Sequence, residues 1–212
     1  MKMNDIMIDL ETLGNTADAP IIQIGAVWFG RDGTTGPEME LTLDFDSACT
    51  RRRVDGGTVA WWMRQPDEAR QSVLGGKLKV KMALDLLTFF VTGQNDRSAD
   101  FERARQRVGL PVDYQPPSPN AKIWSVGFND AVQLESLYAL YRMPCPWMFY
   151  NTRDCRTIED ISPISRLEGA GGYPDGVQHT ALSDALYQVK WLTAMLKHVD
   201  QTIPEPVEDL DL

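Results

Sequence analysis

The feature that most constrains this chain is a run near its start, Ile6-Met7-Ile8-Asp9-Leu10, in which apolar side chains follow one another almost without a break. A strand covered on both faces has this pattern, because neither face can be left to water. Asp9 interrupts the run, and Glu11 follows two residues later. Successive side chains of a strand leave opposite faces, so residues 9 and 11 leave the same one. Two carboxylates at the end of a buried strand are costly unless a cation or a partner offsets their charge. Taken alone, Asp-x-Glu also fits a plain strand end with exposed acids.

The rest of the chain supplies a sheet around that strand. Ile21–Phe29 reads as a second strand, and the turn residues from Gly30 to Pro37 lead to a third over residues 39–45, so short connections predict an antiparallel meander. Thr58 is a candidate cap for a helix carrying Trp61, Trp62 and Met63, and Pro66 suits the first turn of the next. Leu78, Met82, Leu86, Phe89 and Phe90 recur at helical spacing, with Gly93 as a stop. Residues 93–121 have weak core character and read as a surface insertion holding one short helix capped by Ser98, its arginines on a solvated face. A short strand over 123–126 then feeds a helix over 130–143, residues 147–150 read as a further strand, and a helix follows near 157–161. A glycine-rich loop at 169–176 precedes a long helix over about 180–197. Strands first, then alternating strands and helices, predict an α/β fold with a mixed sheet flanked by helices.

At 212 residues the chain is long enough for one domain with a substantial core. Thirty acidic against 21 basic residues give a net charge of −9, the wrong sign for coating duplex nucleic acid by counterion release. That balance does not exclude nucleic acid as a substrate, because an enzyme that cuts it with metal ions concentrates carboxylates where the cations must sit. The most apolar stretch, residues 19–29, contains Gln23 and is too short to span a bilayer. Cys49, Cys145 and Cys155 lack metal-ligand spacing and fit a reducing compartment. A cytoplasmic protein without a membrane partner is the expectation.

His179 stands just beyond the glycine-rich loop and five residues before Asp184. A loop histidine is usually incidental; its companions give it meaning here. Asp-x-Glu on a first strand, an acid at a strand-to-helix junction in mid-chain (Asp130), and a histidine followed five residues later by an aspartate resemble the DEDDh exonucleases of the ribonuclease H-like superfamily, in the family's order. Three further runs narrow the resemblance: Ile8-Asp9-Leu10-Glu11-Thr12-Leu13-Gly14, Trp61-Trp62-x-x-Gln65-Pro66-x-x-Ala69-Arg70, and Phe149-Tyr150-Asn151-x-Arg153-Asp154-x-Arg156-Thr157. Together they look like the branch holding phage exonuclease A, exodeoxyribonuclease VIII-like proteins and related bacterial 3′–5′ exoribonucleases. The family's Asn-Gly, two residues, Phe-Asp around its middle acid is one residue shorter here, in Ser125-Val126-Gly127-Phe128-Asn129-Asp130.

The resemblance implies a five-stranded ribonuclease H-like sheet whose first three strands are antiparallel, with residues 1–200 as the exonuclease domain and 201–212 as a flexible acidic tail. It implies a metal-dependent 3′–5′ exonuclease that releases nucleoside 5′-monophosphates in a bacterial cell or phage-infected host. Asp9, Glu11, Asp130 and Asp184 would hold two Mg2+ or Mn2+ ions, and His179 would act as general base. Because imidazole is neutral at pH 7, activity is expected to rise through roughly pH 6–8. Leu10, Thr12 and Leu13 are candidates to meet the terminal nucleotide, Trp62 and Gln65 (with Trp61) to offer a base platform, and Arg153 and Arg156 to hold phosphate. Leu10 and Leu13 serve equally well as core, and one of the paired tryptophans must pack inside, since neighbours on a helix point about 100° apart. The partners implied are single-stranded 3′ ends of DNA or RNA, and a homodimer is allowed. The Phe149–Thr157 run leans slightly to DNA. The rivals are a noncatalytic nucleic-acid-binding module on the same fold, a ribonuclease H-type endonuclease, and an interaction domain with an acidic patch.

Overall fold

The doubly covered first strand is present and occupies the centre of the molecule. The computed structural model describes residues 3–94, 98–172 and 179–202. Its sheet has the order β3-β2-β1-β4-β5, with β1 at Asp5–Thr12, β2 at Ile21–Phe29, β3 at Thr35–Thr42, β4 at Lys122–Ser125 and β5 at Thr152–Asp154. β1, β2 and β3 pair antiparallel, while β4 joins β1 and β5 joins β4 in parallel. This is the α/β mixed sheet that the sequence predicts.

Alternation along β1 divides the core. Ile6, Ile8 and Leu10 face a large cluster with residues of α4 (Val80–Thr92) and α6 (Asn129–Leu140). Met7 faces the other side, where α9 (Ala181–Thr202) and Cys155 of α7 (Cys155–Ile161) pack with Val27, Phe29 and Trp124. Asp9 and Glu11 continue the Met7 row and so point at α9.

What holds α9 there is legible in β2. A Cβ on Gly25 would lie 2.2 Å from the Ala181 carbonyl carbon, so only glycine lets the helix start this close to the sheet. Gly25 is also the cross-strand partner of Asp9. Two residues away, the fully buried Gln23 accepts the Ala181 N–H at 2.9 Å and donates to Thr42 Oγ1 and the Ser72 carbonyl. One of the helix's otherwise unpaired first amides is thereby satisfied from the sheet. At its far side α9 meets α8 (Arg166–Ala170): Gly169 lies against the Trp191 backbone and Arg166 stacks over the Trp191 ring at 4.8 Å while pairing with Glu159.

Several expected boundaries move. The third strand begins four residues and ends three residues earlier than 39–45, because Asp44 caps a short helix, α1 (Phe45–Cys49), by accepting the Ser47 N–H. Asp55, not Thr58, caps α2 (Gly56–Trp62); the Thr58 N–H and hydroxyl both donate to its carboxylate. Pro66 stands at the start of α3 (Asp67–Val73), and Gly93 ends α4 in a left-handed conformation, as expected. The strand expected at 147–150 is absent: Phe149–Asn151 forms a tight 3-10 turn, and β5 starts only at Thr152. Phe149 and Tyr150 are both exposed, so their aromatic character mimics a strand without the alternation of one.

Helix α5 (Ala99–Arg107) starts at Ser98, whose hydroxyl accepts the Phe101 N–H, as read. The 93–121 segment nevertheless reaches the interior: Phe101, Leu110 and Tyr114 are buried in the main cluster, and the Tyr114 ring stacks on Phe90. Arg105 is buried too, paired with Glu102 and donating to the Leu110 carbonyl, which removes it from the solvated face expected of these arginines. The tail from 203 and residues 173–178 of the glycine-rich loop lie outside the described residues. No helix among the described residues is long and apolar enough to cross a membrane.

Gly25→Ala is expected to lower stability by about 1–3 kcal/mol, the range for forcing an extra methyl into a packed interior. A urea melt checks this, and an unchanged midpoint would show that α9 does not need the close approach.

Candidate active site

Four acids from distant parts of the chain meet where β1 ends under the first turn of α9. Asp9 and Glu11 rise from β1; Asp184 lies in the first turn of α9, and Asp130 in the first turn of α6, directly after β4. Helix N-termini carry partial positive charge, which favours an acid at each of these places. Gln188, one turn beyond Asp184, donates from Nε2 to Asp9 Oδ1 at 2.6 Å and fixes that carboxylate in rotation.

The electrostatics show a cluster in which burial outweighs the countercharge. Burial raises the Asp9 carboxyl well above the usual range, and Asp130, Glu11 and Asp184 raise it further, against the hydrogen bond from Gln188. Burial, then Asp184 and Asp130, push Glu11 up to about 8. Asp130 rises to about 7 through burial, opposed only by the charge of Arg156. Asp184 is raised by burial and lowered by His179, through its charge and its backbone N–H. Among the described residues none of these four carboxylates forms an ion pair with a lysine or arginine. Repelling, partly desolvated oxygen donors suit hard divalent cations such as Mg2+ and Mn2+.

His179 adopts the left-handed conformation at φ 64°, uncommon for a residue with a side chain, and so turns the chain into α9. Its ring meets the edge of Trp61, with centroids 5.1 Å apart. Donor atoms of His179, Glu11 and Asp184 all lie within 4.8 Å of one another. The imidazole is therefore beside the acids, half-buried and braced by an aromatic ring, rather than free in a loop.

A cleft of about 490 Å³ opens next to Glu11, lined by Leu10, Thr12, Asn15, Asp55, Thr58, Trp61 and Trp62, among others. Of the expected substrate residues, Thr12 lines it, with its carbonyl accepting the Trp62 indole N–H at 2.9 Å. Leu10 touches it but belongs mainly to the core, as does Leu13. Trp62 is 7 % exposed, whereas Trp61 is 40 % exposed. The accessible ring of the pair is thus Trp61, which corrects the expectation of Trp62 as the platform: the Trp62 indole is turned inward to the Thr12 carbonyl. Gln65 turns back to the Trp61 carbonyl and is not among the cleft's lining residues. Arg153 donates to the Tyr150 and Thr152 carbonyls, holding the turn before β5. Arg156 is exposed beside Gly127, and its charge reaches Asp130. Asp154 caps α7 through the Arg156 N–H and takes the Gly127 N–H at 2.8 Å, so it shapes the turn that carries Asp130.

The sequence reading gives Gln23, Gly25 and Gln188 no part in building the site. A glycine and a glutamine inside an otherwise apolar strand are a legible sign of close approach; nothing in the sequence marks Gln188 beyond its i+4 spacing from Asp184.

This mixed five-stranded sheet flanked by helices has the fold seen in solved exonuclease structures. Similar folds occur in the nuclease domain of 3′hExo, a DEDDh family member bound to rAMP (13 % identity, TM-score 0.55, 92 % of each chain). They occur also in S. pombe Pop2p in its Mg2+- and Mn2+-bound form (13 % identity, TM-score 0.53, 95 % of this chain and 86 % of that one). Exonuclease I shares it at 15 % identity and TM-score 0.54, over 92 % of this chain and 41 % of that one. No curated protein is significantly similar in sequence. The chain belongs to the 3′-5′ exoribonuclease Rv2179c-like domain family, whose model matches residues 4–196.

The raised acids have a consequence for stability without metal. A carboxylate whose pKa is higher folded than unfolded favours folding in its protonated form, and that contribution is lost as pH rises through the folded value. With Glu11 near 8 and Asp130 near 7, the melting temperature in EDTA is expected to fall from about pH 5 to about pH 8. Excess Mg2+ should remove most of the slope, whereas identical slopes with and without Mg2+ would contradict the cluster's role.

Proposed function

We propose that the protein removes nucleotides one at a time from single-stranded 3′ ends, with Asp9, Glu11, Asp130 and Asp184 holding two divalent cations, Mg2+ or Mn2+, and His179 acting as general base. The observation that carries this reading is the convergence of four mutually repelling acids with one imidazole. The cations, when bound, offset negative charge on the attacking and leaving oxygens of phosphodiester hydrolysis.

The chain's own residues do the rest. Gln188 orients Asp9. The His179 imidazole takes a proton from water as the water oxygen bonds to phosphorus. The bond from phosphorus to the 3′ oxygen of the preceding nucleotide breaks, that oxygen takes up a proton from solvent to become a hydroxyl, and the terminal nucleotide leaves as a nucleoside 5′-monophosphate. The Trp61 cleft receives that nucleotide: the exposed ring offers a stacking face, while Thr12, Asn15 and Thr58 supply polar groups for the sugar. Trp62 supports the floor from beneath, and Leu10 closes its edge.

RNA is the substrate we favour, on the strength of the family description, although the Phe149–Thr157 run leans to DNA. The two differ at the 2′-hydroxyl, a donor and acceptor that the cleft's polar rim is suited to read.

Asp9→Asn is expected to reduce kcat by about a thousandfold or more with Mg2+ while leaving the fold intact and the EDTA melting temperature no lower. Matched 3′-tailed RNA and DNA and a circular strand, assayed with each cation, check the reading. Progressive release of monophosphates from linear RNA supports it; near-normal activity in the variant, or cutting of the circle, contradicts it.

A further inference from the structure

Gln133 is fully buried in α6, one turn after Asp130, on a helix whose Leu134, Leu137 and Tyr138 join the main core. Its Nε2 donates to the Gly14 and Thr16 carbonyls, at 3.2 and 3.1 Å, in the loop that follows Glu11 and leads to β2. Its Oε1 is buried and meets no donor among the described residues. A buried amide with one side unmet costs stability relative to an apolar side chain of similar size. Nor does the loop need it: the Gly14 carbonyl also accepts the Thr12 hydroxyl, and the Thr16 carbonyl the Ala19 N–H. Stability alone therefore does not account for a glutamine here. The same pattern occurs at Gln188, one turn after Asp184, whose Nε2 goes to Asp9 while its buried Oε1 is unpaired.

Arg52, just beyond α1, ties the same two elements together. Its guanidinium donates to the Ala17 and Ala19 carbonyls of the loop, at 2.9 and 3.0 Å, and to the Ser136 hydroxyl of α6 at 2.9 Å. A planar fork of donors can hold these three acceptors at once, which a single ammonium cannot do in the same geometry. β1 carries Asp9 and Glu11 to the foot of this loop, and α6 carries Asp130 in its first turn. The charge of Asp130 repels both of those acids. Without an opposing link that repulsion drives α6 away from the end of β1; the bonds of Gln133 and Arg52 resist it.

We propose that Gln133 and Arg52 are positioning residues, which clamp α6 to the β1–β2 loop and so hold Asp130 at the separation from Asp9 and Glu11 that a divalent cation requires. This rests on the cation site of the exonuclease reading above. Neither residue touches substrate in this account. Their contribution is affinity for the cation, and the unmet Oε1 of Gln133 is the stability given up for it.

The test is calorimetric titration of the metal-free protein with Mn2+, beside thermal melts in EDTA. For Gln133→Leu, the Mn2+ dissociation constant is expected to rise about tenfold, the low end for partners that hold a metal ligand in place, while the melting temperature stays the same or rises. Ser136→Ala removes the acceptor that α6 offers Arg52 and is expected to weaken Mn2+ binding in the same direction. In both variants, activity lost at low Mn2+ should return at saturating Mn2+. Unchanged Mn2+ affinity in Gln133→Leu, or a loss accompanied by a fall in melting temperature, would overturn the clamp; should that variant not fold, the same criteria apply to Ser136→Ala. Wild-type protein that binds no Mn2+ would overturn the cation site and the clamp with it. Wild-type protein that binds Mn2+ yet hydrolyses no RNA or DNA 3′ end would overturn the exonuclease reading alone, and the titration would still decide the clamp.

Discussion

Repulsion among four carboxylates, gathered from β1, α6 and α9 into a space with little water to screen them, is the constraint around which the molecule is organised. Burial raises the proton affinity of all four, and the neighbouring acids raise that of Asp9 and Glu11 further. A fold gains nothing by such an arrangement unless cations complete it. The rest of the structure supplies the opposing terms: a strand packed on both faces, two helix N-termini aimed at the acids, and one glutamine that fixes Asp9.

The closeness of α9 to the sheet decides whether the acids form one site or two. Gly25 removes the side chain that would hold the helix away, and Gln23 satisfies the first amide the helix presents. The same helix start brings in His179 through a left-handed turn, against Trp61. Scaffold and proposed chemistry are thus joined at one contact between β2 and α9, and the geometry of the proposed site depends on Gly25 and Gln23.

Much of this could be read in the sequence because its signals are local. The unbroken run at residues 6–10 predicts a doubly covered strand, Asp9 and Glu11 share a face by strand alternation, and Ser98 and Gly93 mark helix ends by their own chemistry. The misreadings arise where tertiary partners override local character. Phe149 and Tyr150 are aromatic enough for a strand yet lie exposed in a turn, and the polar 93–121 segment hides Phe101, Leu110, Tyr114 and a paired Arg105. The choice between Trp61 and Trp62 depends on the Thr12 carbonyl, which a helical wheel does not contain. Gln188 lies beyond sequence reasoning altogether, since its role exists only once α9 is laid across β1.

The central claim is that these acids are a cation site shared by β1, α6 and α9. Anomalous diffraction from crystals equilibrated with Mn2+ tests it directly. Two peaks bounded by the carboxylates of residues 9, 11, 130 and 184 are predicted. An empty pocket at saturating Mn2+, or manganese bound elsewhere on the surface alone, would contradict the account.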